Sequence, residues 1–168
     1  MMAKNQGNNI DVREVEKDHV NKAGALSAEI EGDFVVFLLG AGVNSWWSAL
    51  TGQFPVPASQ MGAMMQELKS MPSEQTGFLG GTSWVGNPTI LVQYWRSMGH
   101  LHAWARKPQG KHQSIWGRFN RYLAESVRGQ HNDGGMGIWH EAYEVKDGNY
   151  EAIYNLMPPL GLGRVFKH

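Results

Sequence analysis

The stretch Phe34-Val35-Val36-Phe37-Leu38-Leu39 decides the fold. These six consecutive apolar residues are too few for an amphipathic helix and too apolar for a surface strand. Their aromatic and β-branched content predicts a strand buried on both faces. Glu31 and Asp33 bracket a glycine ahead of it, and Gly40-Ala41-Gly42 is expected to end it with residues too small to fill a pocket. Working outward, Pro55 and Pro57 delay the next helix, and Met61, Met64, Met65, Leu68 and Met71 recur at helical spacing until Pro72. This predicts a helix over about Ala58 to Ser70. Gly77 to Val85 and Thr89 to Trp95 read as two strands around the turn Gly86-Asn87-Pro88. Met98, Leu101, Trp104 and Ala105 predict a short helix ending near Pro108, and Ile115, Trp116, Phe119, Tyr122 and Leu123 mark the apolar side of a longer one. Met136 to Val145 reads as a last strand, after which Asp147-Gly148 turns the chain into Tyr150 to Tyr154.

Strand, helix, strand, strand, helix, strand is a ferredoxin-like βαββαβ order, an α+β fold with helices on one face of an antiparallel sheet. The other face is expected to be apolar and bare. A second copy would bury it, at about 25 cal/mol for each Å² removed from water, so a homodimer is expected. Residues 1–32, polar with alternating charges, read as an N-terminal arm, and 33–168 as the single folded domain.

The composition narrows the function classes. At 42% hydrophobic and 18% charged, the 168 residues suit one globular domain. The longest apolar run falls far short of the roughly 20 residues that cross a bilayer, so no membrane role is expected. The polar start lacks the apolar core of a secretory signal, which implies a cytoplasmic protein. Lys plus Arg equals Asp plus Glu at 15 each, leaving no net field to attract nucleic acid. With no cysteine, the ligands and catalysts available are His, Asp, Glu and Tyr.

Histidines then offer the most distinctive chemistry. His112 precedes Ile115 by three residues and Phe119 by seven, on the inward stripe of the longer helix. An imidazole there suits axial ligation of a metal or haem iron, or equally a hydrogen-bonded core histidine near a helix start. His140 shares its strand face with Ile138 and Ala142, where it reads either as a general acid or base or as a strand-edge histidine bonded to Glu141, Glu144 or backbone. His100 and His102 cannot share one helical face. The tryptophans and tyrosines are numerous enough to line a flat cofactor or aromatic substrate, although core packing explains most of them. Gly40-Ala41-Gly42 is not a phosphate loop, because no Gly-Lys-Ser/Thr follows and no helix opens there.

Ile90 to Ser97, Gly137-Ile138-Trp139-His140-Glu141 and Tyr150 to Pro159 together resemble a monooxygenase-like family, over about Asp33 to Arg164. That family is similar in turn to one half of the haem-containing aldoxime dehydratases, which have two ferredoxin-like repeats in a dimeric α+β barrel. The resemblance implies the same barrel here, formed by two copies, with haem b as cofactor. Leu101 to Phe119 looks like the segment supplying the proximal haem histidine, which maps on His112, with Trp116 and Phe119 beside it. Trp139-His140-Glu141 looks like the segment of the distal catalytic histidine, which maps on His140. Phe37, Leu39, Ala41, Tyr94, Arg96 and Trp139 are expected to line the pocket. The dehydratases carry a serine just after the first strand, where this chain has Ala41 or a glycine. The resulting expectation is a haem-dependent lyase or monooxygenase acting on a small apolar or aromatic molecule. The alternatives are a cofactor-free antibiotic-biosynthesis-type monooxygenase and a non-catalytic ligand-binding dimer.

Overall fold

The computed structural model describes residues 25–27, 30–44, 58–107, 111–128, 135–158 and 160–165. Of the expected N-terminal arm, the part before Ala25 lies outside the described residues, as do Trp46 and Trp47. In chain order the elements are β1 (Ala25–Ser27), β2 (Phe34–Val43), α1 (Ala58–Ser70) and α2 (Ser73–Thr76). The hairpin β3 (Phe78–Trp84) and β4 (Thr89–Trp95) follows, then α3 (Met98–Arg106), α4 (Lys111–Val127), β5 (Met136–Val145), β6 (Ile153–Asn155) and α5 (Leu162–Val165). No helix among the described residues is long and apolar enough to cross a membrane.

Four strands form one antiparallel sheet in the order β3-β4-β2-β5, and β1 pairs with β6 in a separate ribbon. This is the ferredoxin-like arrangement. The first strand lies at the centre, flanked by the third and fourth of the sheet, so each crossover helix returns over the same face. Two features depart from the sequence expectation. Strand β2 does not stop at Gly40 but continues to Val43. The reason lies across the strand, where a Cβ at Gly40 would stand 2.1 Å from the indole nitrogen of Trp139. Glycine there admits the close approach of a large side chain rather than ending the pairing. The second departure concerns the face away from the helices, which is not bare.

The pairing register assigns every side chain to a face. Val35 lies opposite Trp95, Leu39 opposite both Leu91 and His140, and Ala41 opposite Ile138. Val35, Leu39, Ala41, Leu91 and Trp95 pack with Met64, Met65 and Leu68 of α1, Leu101 and Trp104 of α3 and Phe119 of α4 in the main core. Trp95 is fully buried, and its indole N–H donates to the side-chain oxygen of Gln93 at 3.0 Å. The amide nitrogen of Gln93 donates in turn to the sulfur of Met65 at 3.4 Å, so this buried amide is satisfied within the core. On the opposite face a smaller cluster of Ile30, Phe34 and Tyr94 is covered by half-buried Tyr150, Leu162 and Val165. The segment after β5 therefore folds back over part of the face that the strand order alone leaves open.

Local chemistry fixes the junctions. Ser97, in extended conformation, accepts the backbone N–H of His100 with its hydroxyl and starts α3. Gly77 ends α2 at φ 70°, and the ring of His100 occupies the space where a Cβ would stand. The side-chain amide of Asn87 accepts the N–H of Val43 at 2.8 Å and donates to its carbonyl at 3.1 Å, pinning the β3-β4 turn to the end of β2.

Candidate functional site

An apolar cleft lies between the helix-facing side of the sheet and α4. Leu39 and Ala41 of β2 and Met136 and Ile138 of β5 form its floor. Ile115, Trp116 and Phe119 of α4 form its roof, Met64 of α1 closes one side, and it holds about 420 Å³ of empty space counted to its open mouth. Alternation places this floor together: Ala41 pairs with Ile138 and Val43 with Met136, so the two strands contribute neighbouring rows to one face. The roof follows from helical spacing, since Ile115, Trp116 and Phe119 are three and four positions apart. Trp116 and Phe119 meet edge to face, with centroids 6.1 Å apart and planes at 78°.

His140 continues the floor row beyond Ile138, roughly 7 Å further along β5. It faces Leu39 across the strand pair, its ring centroid is 5.8 Å from that of Phe37, and it is exposed. The row therefore passes from a dry floor to an accessible imidazole, which can exchange protons with solvent and with a group held at the cleft's end. His112 lies in the first turn of α4, three positions before Ile115 and four before Trp116 in sequence.

The expected pocket residues divide between the two faces. Phe37, Leu39, Ala41, Trp116, Phe119 and His140 stand on the cleft side. Tyr94 pairs with Val36, and Trp139 lies over Gly40, both on the other face. Arg96 follows the end of β4, where its backbone N–H donates to the carbonyl of Gly77 at 2.8 Å, and it does not line the cleft. Met64, Met136 and Ile138 line the cleft without having been singled out. Helical spacing marked Met64 as core, and alternation from His140 leads directly to Ile138 and Met136. His100 serves α3: its Nδ1 lies 2.8 Å from the Ser97 hydroxyl, while His102 is exposed.

The donor chemistry discriminates between kinds of metal centre. A metal ion held directly by protein needs several donors, and among the described residues no three His, Asp or Glu side chains stand together to hold one. A haem brings four nitrogens of its own and asks the protein for one axial imidazole and apolar walls. The aromatics Trp116 and Phe119 of the roof helix and the apolar floor fit the demand for apolar walls.

A family model described as monooxygenase af470-like matches residues 34–162. A curated relative, "Monooxygenase af470" of Aspergillus fumigatus, is 29% identical over 140 residues, which cover 80% of this chain and 46% of the relative. The chain thus spans less than half the length of that relative. Among solved structures, an aldoxime dehydratase in complex with butyraldoxime superposes with a TM-score of 0.60 at 16% identity, covering 84% of this chain and 40% of the other. A second aldoxime dehydratase gives a TM-score of 0.59 at 14% identity, covering 94% of this chain and 44% of the other. At these identities the two structures establish the shared fold. The matched region takes in the whole four-stranded sheet, the cleft and both candidate histidines, and the chain belongs to the monooxygenase af470-like family.

Proposed function

We propose that the chain is a haem-binding oxygenase acting on a small apolar or aromatic molecule. The observation that carries this reading is the apolar cleft, floored by a strand row that ends in an accessible His140 and roofed by the helix that bears His112. In this reading His112 would hold the haem iron, and Trp116 and Phe119 would supply apolar walls for the macrocycle. Bound haem supplies an iron centre that polarises a substrate nitrogen or oxygen, or activates dioxygen. Leu39, Ala41 and Ile138 exclude water and hold the apolar body of the substrate. His140 holds or moves the proton at the substrate's polar end. Ala41 puts a methyl group on the floor where the resemblance implies a serine in the dehydratases, which favours oxygenation over dehydration of an aldoxime.

A second copy completes the assembly in this reading. Trp139, Tyr143 and Leu38 occupy the β5-β2 side of the open face, with Trp139 38% and Tyr143 51% exposed. Burying such a patch favours a homodimer. Analytical ultracentrifugation checks this, with Trp139→Arg expected to sediment as monomer.

The deciding experiment is the visible absorption spectrum of protein expressed with iron and a haem precursor. A Soret band is expected, lost in His112→Ala and retained in His140→Ala, which loses turnover. A His112→Ala protein that keeps a normal band would sink the ligand assignment. A second reading, a cofactor-free oxygenase with His140 as base, is favoured by the cleft's lining, whose eight described residues are all apolar and suit an aromatic substrate without a cofactor. Oxygen uptake by colourless protein would establish it.

A further inference from the structure

We propose that the groove on the open face of the sheet is a binding site for a small alkylammonium cation. The groove lies between the sheet and the segment that follows β5, and holds about 970 Å³ of empty space counted to its wide mouth. Phe34 and Tyr94 rise from the sheet, Tyr150 and Tyr154 come from the returning segment, and Trp84 and Glu151 stand on the exposed rim. Among its described lining residues five are aromatic, one is a carboxylate, and none is a lysine, arginine or histidine.

The hydroxyl groups of two of these phenols are already committed. Tyr150 accepts the backbone N–H of Ile30 and donates to its carbonyl at 3.1 Å. Tyr154 accepts the N–H of Gly163 at 2.7 Å and donates to the carbonyl of Leu160 at 2.9 Å. These bonds anchor the rings to the backbone and leave their π-systems as what the groove offers. Phe34 and Tyr150 are locked edge to face, with centroids 5.5 Å apart and planes at 75°. Burial pushes the Tyr94 phenol up to about 12, so it stays neutral across the physiological range.

The electron-rich faces of Trp and Tyr attract a cation, and a quaternary ammonium suits them because it sheds water at little cost. Glu151 supplies the opposite charge at the mouth, and no described lining residue carries a positive charge. A neutral hydrocarbon of the same shape also fits an apolar groove but gains nothing from Glu151. Charge is therefore the discriminating variable. The site is separate from the α4 cleft, on the other face of the sheet, and stands or falls independently of the haem reading.

The test is calorimetric titration of the full-length protein with choline and with its neutral isostere, 3,3-dimethylbutan-1-ol. Choline is expected to bind saturably in the millimolar range, and the isostere roughly tenfold more weakly. Trp84→Ala should weaken choline by roughly tenfold, and Glu151→Gln by roughly two- to fivefold, with the isostere unaffected by Glu151→Gln. Equal affinity for the two probes, or choline binding indifferent to both substitutions, would show an apolar groove without cation selectivity and overturn the proposal. Failure of choline to bind, including in protein that sediments as a dimer, overturns it as well.

Discussion

The two faces of the sheet are built from the same strands and have opposite characters. Toward the helices, Val35, Leu91, Trp95 and Leu68 close a dry core in which the buried amide of Gln93 is satisfied. Away from them, Trp139, Tyr143 and Trp84 keep contact with solvent, and aromatic rings are tied to the backbone through their hydroxyls. The helix-facing side thus combines a closed core with the cleft, while the open face leaves large aromatics in contact with solvent, and the neighbouring residues Tyr94 and Trp95 pack in different clusters.

The largest test of this contrast compares two tryptophans. Trp95→Ala removes a fully buried indole and leaves the Gln93 oxygen without its donor, so a loss of about 3–5 kcal/mol is expected in urea unfolding. Trp139→Ala, on the open face, should cost about 1 kcal/mol or less in the monomer. Similar losses for the two would erase the distinction between the faces. Next in size is Gly40→Ala, whose new methyl group meets the Trp139 indole and should cost about 1–3 kcal/mol. A double-mutant cycle with Trp139→Ala should recover most of that loss, whereas a persistent loss would locate the strain in the backbone.

A third test uses pH. Burial raises the Tyr94 phenol from the usual 10 to about 12, with the nearby Tyr154 adding to the shift. The unfolded chain therefore ionises first. The stability contributed by the protonated phenol is whole below pH about 10 and declines as pH rises toward about 12. Tyr94→Phe should flatten that part of the melting-temperature profile, and an unchanged slope would assign it to other groups. The smallest effect is expected where both partners are exposed. Lys146 donates to Asp33 at 2.6 Å, and the backbone N–H of Asp147 also donates to that carboxyl, together lowering the Asp33 pKa. The contribution is present above the ordinary carboxylate pKa and lost as pH falls through the depressed value. Asp33→Asn should hardly move the urea midpoint at neutral pH. A clear drop would mean that the clasp between the start of β2 and the turn after β5 matters more than its exposure indicates.

The strands and helices were legible because each carries its own period. Pro57 and Pro72 bracket α1, and the run Ile138 to Val145 is unbroken by any turn residue. The division of the expected pocket was legible only in part. His140 and Trp139 are adjacent on one strand and must point to opposite faces, which alternation alone dictates. That Tyr94 joins Trp139 rather than His140 depends on the register of β4 against β2, and no local pattern encodes the register between distant strands. The short pairing of Ala25–Ser27 with Ile153–Asn155 escapes periodicity for the same reason, being three residues long and joined across most of the chain. Gly40 misled because a glycine that ends a strand and one that makes room for a neighbour's ring look alike in sequence.

The ten-residue pairing of β2 with β5 has a consequence for how this protein can vary. His140 sits between Trp139 and Glu141, so a slip of one position would carry the imidazole off the cleft's face of the sheet and put an indole or a carboxylate in its place. Point substitutions can retune either face separately, but deleting or inserting one residue in β5 exchanges the two sets wholesale. Length changes should therefore be tolerated in the turn that follows this strand and penalised within it, and a deletion scan across residues 135–148 would draw that boundary one residue at a time.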